Sequence, residues 1–288
     1  MGKAQRTRQE STRARIAAQQ AQQRAAERRR RMLAIGGITV AVLAVIGIII
    51  GAVVARQGRS SQAGGTSGAL PASVQSNLSV PASVLAQVGA GSTGPQAFKK
   101  VTGPLLSSGG KPEMLYIGAE WCPYCAAERW AMAVALSRFG TFSPLKGVHS
   151  SSSDVYPNTA TLTFYRSTYT SKYLVFSAVE NQDVHHNLLQ SPTAAQQALW
   201  AKYQPPGGSY PFIDIGNRVV AASTYNPQVL QGLTWSQIAA DLHRPSSAVA
   251  QGADGSANFF TAAICSITGN QPSNVCNAAP VTALRGQI

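Results

Sequence analysis

The hydrophobic pattern divides the chain at about residue 55. Residues 32–54 read MLAIGGITVAVLAVIGIIIGAVV, 23 positions without a charge in which Thr39 is the only polar side chain. At a rise of about 1.5 Å per residue, such a helix spans a hydrocarbon core of about 30 Å with a little tilt to spare. The run therefore predicts a transmembrane helix. Beyond it the apolar stretches become short, and they alternate between strand-like runs and helical periodicity.

Residues 114–119 (MLYIGA) form the first strong strand signal, bounded upstream by Gly109-Gly110-Lys111-Pro112, and predict a buried central strand. After Cys125, the segment AAERWAMAVALSRFG repeats Ala127, Trp130, Ala131, Val134 and Leu136 or Phe139 at helical spacing, with Gly140 expected as C-cap. Further strands are expected at 161–165 and 173–179, divided by a polar turn at 166–172. A helix over 193–203 is expected to start from Ser191 as N-cap with Pro192 at its first position, and to stop at 205–208 (PPGG). Residues 212–220 (FIDIGNRVV) read as a hairpin turning at Gly216-Asn217. Residues 234–242 predict the last helix of the sheet domain, with Thr234 as N-cap and Gln237 completing a capping box. Ahead of these, residues 81–88 predict a short helix with Pro81 in its first turn and Gly89 as its stop. No internal repeat is visible.

Charge sharpens the division. The net charge of +13 over 288 residues is uneven: residues 1–31 hold Lys3 and nine arginines against Glu10 and Glu27, a net of +8. Residues 57–288 carry only +4. A basic leader of this kind suits either nucleic acid or membrane topology, and the apolar run that follows it favours topology, with anionic lipid as the contact and no nucleic-acid partner. A cleaved secretory signal is the rival, but its apolar core usually runs about 7–15 residues and its leader is short. Arg28, Arg29, Arg30 and Arg31 precede the run, whereas Arg56 and Arg59 follow it, so the positive-inside bias keeps the N-terminus cytoplasmic. The expected organisation is a basic cytoplasmic leader (1–31), a transmembrane helix (32–54), a flexible linker (55–80) and an extracytoplasmic domain (81–288) whose C-terminal extension bears a disulfide.

Candidate chemistry lies in Cys122-Pro123-Tyr124-Cys125, at the expected junction of strand and helix. Residues three apart share a helix face, within the Cα separation of about 4.4–6.8 Å that a disulfide needs. The helix N-terminus supplies free N–H groups and partial positive charge, which lower the pKa of the first thiol. Cys122 is thus the expected nucleophile and Cys125 the resolving thiol. Pro123 suits the first turn, and Trp121 is placed to shield one side of the sulfur. Zinc would require a second pair at suitable spacing, and Cys265 and Cys276 lie too far apart in sequence to provide it; no metal or cofactor is expected. A permanent structural disulfide between Cys122 and Cys125 is the remaining alternative.

This order of strand, Ala119-Glu120-Trp121-Cys122-Pro123-Tyr124-Cys125, helix, and later Tyr210-Pro211 entering a hairpin resembles the thioredoxin fold. The Cys-Pro-Tyr-Cys motif is similar to that of glutaredoxins, and the exported setting resembles bacterial periplasmic disulfide oxidoreductases. The resemblance implies an α/β domain with a central mixed sheet flanked by helices. It also implies a cis-proline loop facing the dithiol, with Pro211 as the matching position and Trp121, Tyr210 and Pro211 as the substrate-binding surface. The stretch 81–276 further resembles a prokaryotic family known as domain of unknown function 929. Two departures stand out. The 89 positions between Cys122 and Pro211 leave room for an insertion within 143–203, and Tyr116 replaces the buried acid that thioredoxins carry on this strand. Proton transfer from Cys125 would then use Glu120, water or another group.

Cys265 and Cys276 flank Gly269-Asn270 and Pro272, turn residues that bring them together; of the three possible pairings, 122 with 125 and 265 with 276 is the most local. The expected activity is thiol-disulfide exchange with cysteines of exported proteins, with a membrane redox partner to recycle the dithiol. The alternative is a binding or assembly subunit of a membrane complex with a non-catalytic cysteine pair.

Overall fold

The computed structural model of the protein describes residues 68–204 and 208–288. The leader at 1–31, the apolar run at 32–54 and the first part of the expected linker lie outside the described residues, as do three of the four residues expected to stop the helix at 205–208. Among the described residues no helix is long and apolar enough to cross a membrane.

In chain order the elements begin with β1 (Gly68–Ala69), α1 (Ala72–Ser76), α2 (Ala82–Val88), β2 (Phe98–Lys100), β3 (Ser107–Ser108), β4 (Lys111–Gly118) and α3 (Pro123–Ser137). There follow β5 (Gly140–Phe142), β6 (Lys146–His149), β7 (Ala160–Thr163), β8 (Tyr169–Ser171), β9 (Val175–Glu180) and α4 (Ala194–Tyr203). The chain ends with β10 (Phe212–Ile215), β11 (Val219–Ala221), α5 (Trp235–Asp241), α6 (Gly255–Ile267), α7 (Ser273–Cys276) and α8 (Ala279–Arg285).

The central sheet is mixed. β4 pairs with β9 in parallel on one side and with β10 in antiparallel on the other; β11 and then β2 extend the antiparallel side. Alternation along the strands builds a core on each face. Met114, Tyr116, Ile213, Ile215, Val219 and Ala221 join α3 and α6 in the larger core, whereas Leu115, Ile117, Phe212 and Val220 meet Trp200 of α4 in the smaller one. β4 is apolar on both faces because helices cover both. α3 is buried from Pro123 to Leu136 apart from Tyr124, and α6 is buried from Gly255 to Cys265, the situation of a helix surrounded by protein.

The expected hairpin is present. Gly216 and Asn217 both adopt positive φ (65° and 53°), which supplies the primed turn that a tight hairpin needs. Between α3 and β9, β5 pairs with β8 and β6 pairs with β7 and β1.

Several boundaries differ from those expected. The folded unit starts by residue 68 rather than 81: β1 pairs with β6, and Leu70, Val74, Leu78 and Val80 are buried, so residues 68–80 are not linker. α3 ends at Ser137 with Arg138 as C-cap, and Gly140 instead begins β5, close against Thr170 where a side chain would collide. α4 starts from Thr193 rather than Ser191, because Thr193 and Gln196 form a capping box. α5 keeps the predicted box of Thr234 and Gln237 but is not the last helix of the domain. The C-terminal segment is core rather than appendage: Phe259 and Phe260 pack on Phe98 of β2, and the Cys265–Cys276 disulfide ties α6 to α7.

Candidate active site at the Cys122–Cys125 dithiol

β4 delivers the chain into Ala119-Glu120-Trp121, and α3 begins at Pro123 with Cys122 as its N-cap. The Cys122 sulfur accepts the Cys125 N–H at 3.2 Å, the role that a serine or aspartate oxygen plays at other helix starts. Both cysteines are free thiols; Cys122 is 3 % exposed and Cys125 fully buried. Their environments push them apart. Hydrogen bonding from Cys125 and then the Arg129 charge hold Cys122 below the ordinary thiol range, against its burial. Burial and the neighbouring Cys122 raise Cys125 well above that range. Such asymmetry suits an attacking and a resolving thiol.

The Tyr210–Pro211 peptide is cis, and the Tyr210 carbonyl stands 3.9 Å from the Cys122 sulfur. Trp121 packs edge-on to Tyr210 and stacks on His186 at 4.6 Å, while its indole N–H donates to Gln182 at 2.9 Å. Tyr210 in turn stacks on Trp200 at 5.2 Å and its hydroxyl donates to Asn181. Trp121 and Tyr210 thus pack against the cysteine cluster, and Pro211 follows Tyr210 through the cis peptide. His186, Gln182 and Asn181 escaped the sequence reading because the loop after β9 shows no motif, and Trp200 because it sits within α4, away from the cysteines in sequence.

Beneath the motif lies a feature that sequence reasoning also missed. Arg129, one turn below Cys125, is wholly buried and pairs bidentately with Glu180 at the end of β9, with both contacts at 2.8 Å. The same guanidinium donates to the Ala119 carbonyl at 2.7 Å. Burial disfavours its charge, but Glu180 more than compensates and Arg129 stays protonated. The available signal was Glu128-Arg129, the only charged pair within a helix that is otherwise apolar or small apart from its ends.

Glu120 is buried; its carboxyl is raised by burial and lowered by a hydrogen bond with Thr163, and its charged neighbours are Arg129, Glu180 and Asp183. It therefore belongs to the ionic cluster under the motif. Tyr116 is also fully buried, and burial holds its phenol well above the ordinary range. Cys265 and Cys276 are disulfide-bonded on the C-terminal helices, as paired from the sequence.

On the neighbouring face of α3, Glu128 meets the Thr224 N–H at 2.6 Å and the Thr224 hydroxyl at 2.8 Å, and that hydroxyl meets Ser256 at 2.7 Å. Burial raises Glu128 to about 8. Asp254, in the π-helical turn before α6, is raised to about 8 by the same cause, and neither of its oxygens has a partner among the described residues.

These features define a mixed α/β domain that presents a dithiol at the start of a buried helix. A family model described as Domain of unknown function (DUF929) matches residues 97–207, so this part of the chain is similar to that family. The matched stretch holds both cysteines, Tyr116, Arg129 and Glu180 but ends before Tyr210 and Pro211. No curated protein and no solved structure matches the chain.

The two carboxyls raised to about 8 set a pH dependence. Unfolded, Glu128 and Asp254 release their protons near 4.5 and 3.8; folded, they hold them to about 8. Stability is thus expected to fall between about pH 4 and pH 8, by up to about 1.4 kcal/mol per pH unit for each group. Denaturant titrations at pH 5 and pH 8 check this, and Glu128→Gln, which keeps an acceptor for Thr224, should flatten part of the slope. Stability that rises across the window, or a slope indifferent to the substitution, contradicts the assignment.

Proposed function

We propose that this protein is a membrane-anchored thiol-disulfide oxidoreductase of thioredoxin-like fold, acting outside the cytoplasm on cysteines of exported proteins. The strand order β11-β10-β4-β9, with β4 and β9 parallel and a helix following each, supports the fold reading. The observation that carries the function is Cys122 itself: a thiol at the N-cap of a buried helix, held toward its thiolate, with the Tyr210 carbonyl and the cis Pro211 beside it. A thiolate in that position attacks a substrate disulfide, or takes part in a mixed disulfide that Cys125 resolves. A backbone carbonyl next to the sulfur offers an acceptor for an extended substrate peptide. The Cys265–Cys276 disulfide agrees with an oxidising compartment. A second membrane protein would restore the redox state of the pair between turnovers.

One observation favours the second reading, a binding or assembly subunit with an idle cysteine pair: only a small fraction of the Cys122 surface meets solvent. Exchange chemistry separates the two. Full-length protein with Cys265 and Cys276 intact is expected to reduce insulin or to oxidise a reduced dithiol peptide with glutathione disulfide present. Cys122→Ser should abolish this, and Cys125→Ser should accumulate a mixed disulfide with substrate. An inactive protein whose Cys125→Ser variant traps nothing would establish the binding reading instead.

The anchor is part of the proposal and rests on residues 32–54 and the arginines before them. Full-length protein is expected to stay with membranes through alkaline carbonate extraction, with the domain from residue 68 onward labelled from outside. Release by carbonate, or protection of the domain from external reagents, contradicts it.

A further inference from the structure

Two buried hydrogen-bond donors on the strand and helix that carry the cysteine motif lack an acceptor among the described residues. Arg129 gives Nε and Nη2 to Glu180 and shares Nη2 with the Ala119 carbonyl, but its Nη1 has no acceptor among the described residues. The hydroxyl of Tyr116, on the strand face that meets α3, has none either. Gly118 makes the room for it, since a Cβ there would collide with that hydroxyl. Both donors are fully buried, where an unmet donor is costly. Ala119 packs against both cysteines, and its carbonyl accepts the Cys122 N–H at 3.3 Å as well as the guanidinium. Arg129 is therefore the member of the ion pair that reaches the sulfurs' surroundings. Glu180 is engaged by Arg129 and by the Phe164 N–H at 3.2 Å.

We propose that Arg129, a positioning residue assisted by Tyr116, stabilises the thiolates of the reduced pair over the uncharged disulfide, and so makes the pair an oxidant that introduces disulfides into substrate proteins. The proposal rests on the oxidoreductase reading and gives it a direction. A disulfide carries no charge, so a buried cation and spare donors beside it favour only the reduced form; the pair then accepts electrons readily. In agreement, the Arg129 charge adds to the Cys125 hydrogen bond in lowering Cys122, and it opposes the rise that burial imposes on Cys125.

The steps balance. A substrate thiolate attacks the Cys122 sulfur; the Cys122–Cys125 bond breaks and its electron pair leaves on Cys125 as thiolate, which the Arg129 charge favours. A second substrate thiolate attacks the substrate sulfur of the mixed disulfide and expels Cys122 as thiolate. The substrate loses two electrons and two protons. The protein gains the electrons; Cys125 takes up one proton, Cys122 remains a thiolate, and the other proton goes to solvent. A small-molecule disulfide such as glutathione disulfide, or a membrane oxidant, regenerates the pair.

The test is the equilibrium of the 122/125 pair with glutathione in full-length protein, read by alkylation and mass spectrometry. The wild-type pair is expected to be more oxidising than glutathione. Removing one partner of a buried ion pair can unfold the protein, so the informative variant is Arg129→Met with Glu180→Gln. It should shift the equilibrium at least tenfold toward the disulfide, about 30 mV for two electrons, and raise the pH at which Cys122 ionises. Arg129→Lys should retain part of the effect. A wild-type pair more reducing than glutathione, or a double variant with unchanged equilibrium and ionisation, overturns the proposal while leaving the oxidoreductase reading in place. Failure of the pair to exchange with glutathione at all overturns both.

Discussion

The ion pair between Arg129 and Glu180 is the contact on which the rest of this architecture turns. Two charges removed from water cost several kcal/mol each unless their remaining bonding capacity is met, and the loss of one partner typically costs about 3–5 kcal/mol. Here the pair joins the first turns of α3 to the end of β9, takes in the carbonyl that ends β4, and accepts the N–H of Phe164 after β7. Ala119, Arg129, Phe164 and Glu180 are thereby fixed at one point. Cys122 stands at the N-terminal end of α3, where Tyr124 reaches the surface.

A helix that is buried nearly all round explains why so much of the chain serves to hold one thiol. α3 lies between the sheet, α6 and β7: Trp130 donates to the Ala160 carbonyl, and Thr161 to the carbonyl of Ala126. Small residues at Ala126, Ala127, Ala131, Ala133 and Ala135 allow these neighbours to approach closely. The helix cannot shift without disturbing every layer, so Cys122, Cys125 and the Tyr210–Pro211 segment keep their places relative to one another. Rigidity of this sort suits repeated opening and closing of a disulfide, because the sulfurs need little movement to meet.

What could be read from the sequence was whatever follows from local rules. The β4 run, the turn at Gly216-Asn217, the capping box at Thr234 and the pairing of Cys265 with Cys276 each depend on a few adjacent residues, and each is present. The cysteine motif was legible for the same reason. Long-range packing was not. α6 reads as a tail because its burial is conferred by Phe98 and α3, far away in sequence. Residues 68–80 read as linker because Leu70, Val74, Leu78 and Val80 are spaced among polar residues and are covered by elements yet to come. Likewise Arg129 and Glu180 lie 51 positions apart, and nothing local marks them as partners.

The central claim is that Cys122 and Cys125 form an asymmetric dithiol. It is tested most directly by the rate of iodoacetamide alkylation of each thiol in the folded, reduced protein as a function of pH. Cys122 is expected to react with a midpoint below the ordinary thiol value of about 8.5, while Cys125 stays unmodified until the protein unfolds. Two thiols that titrate alike near the ordinary value, or a Cys125 that reacts ahead of Cys122, would contradict it.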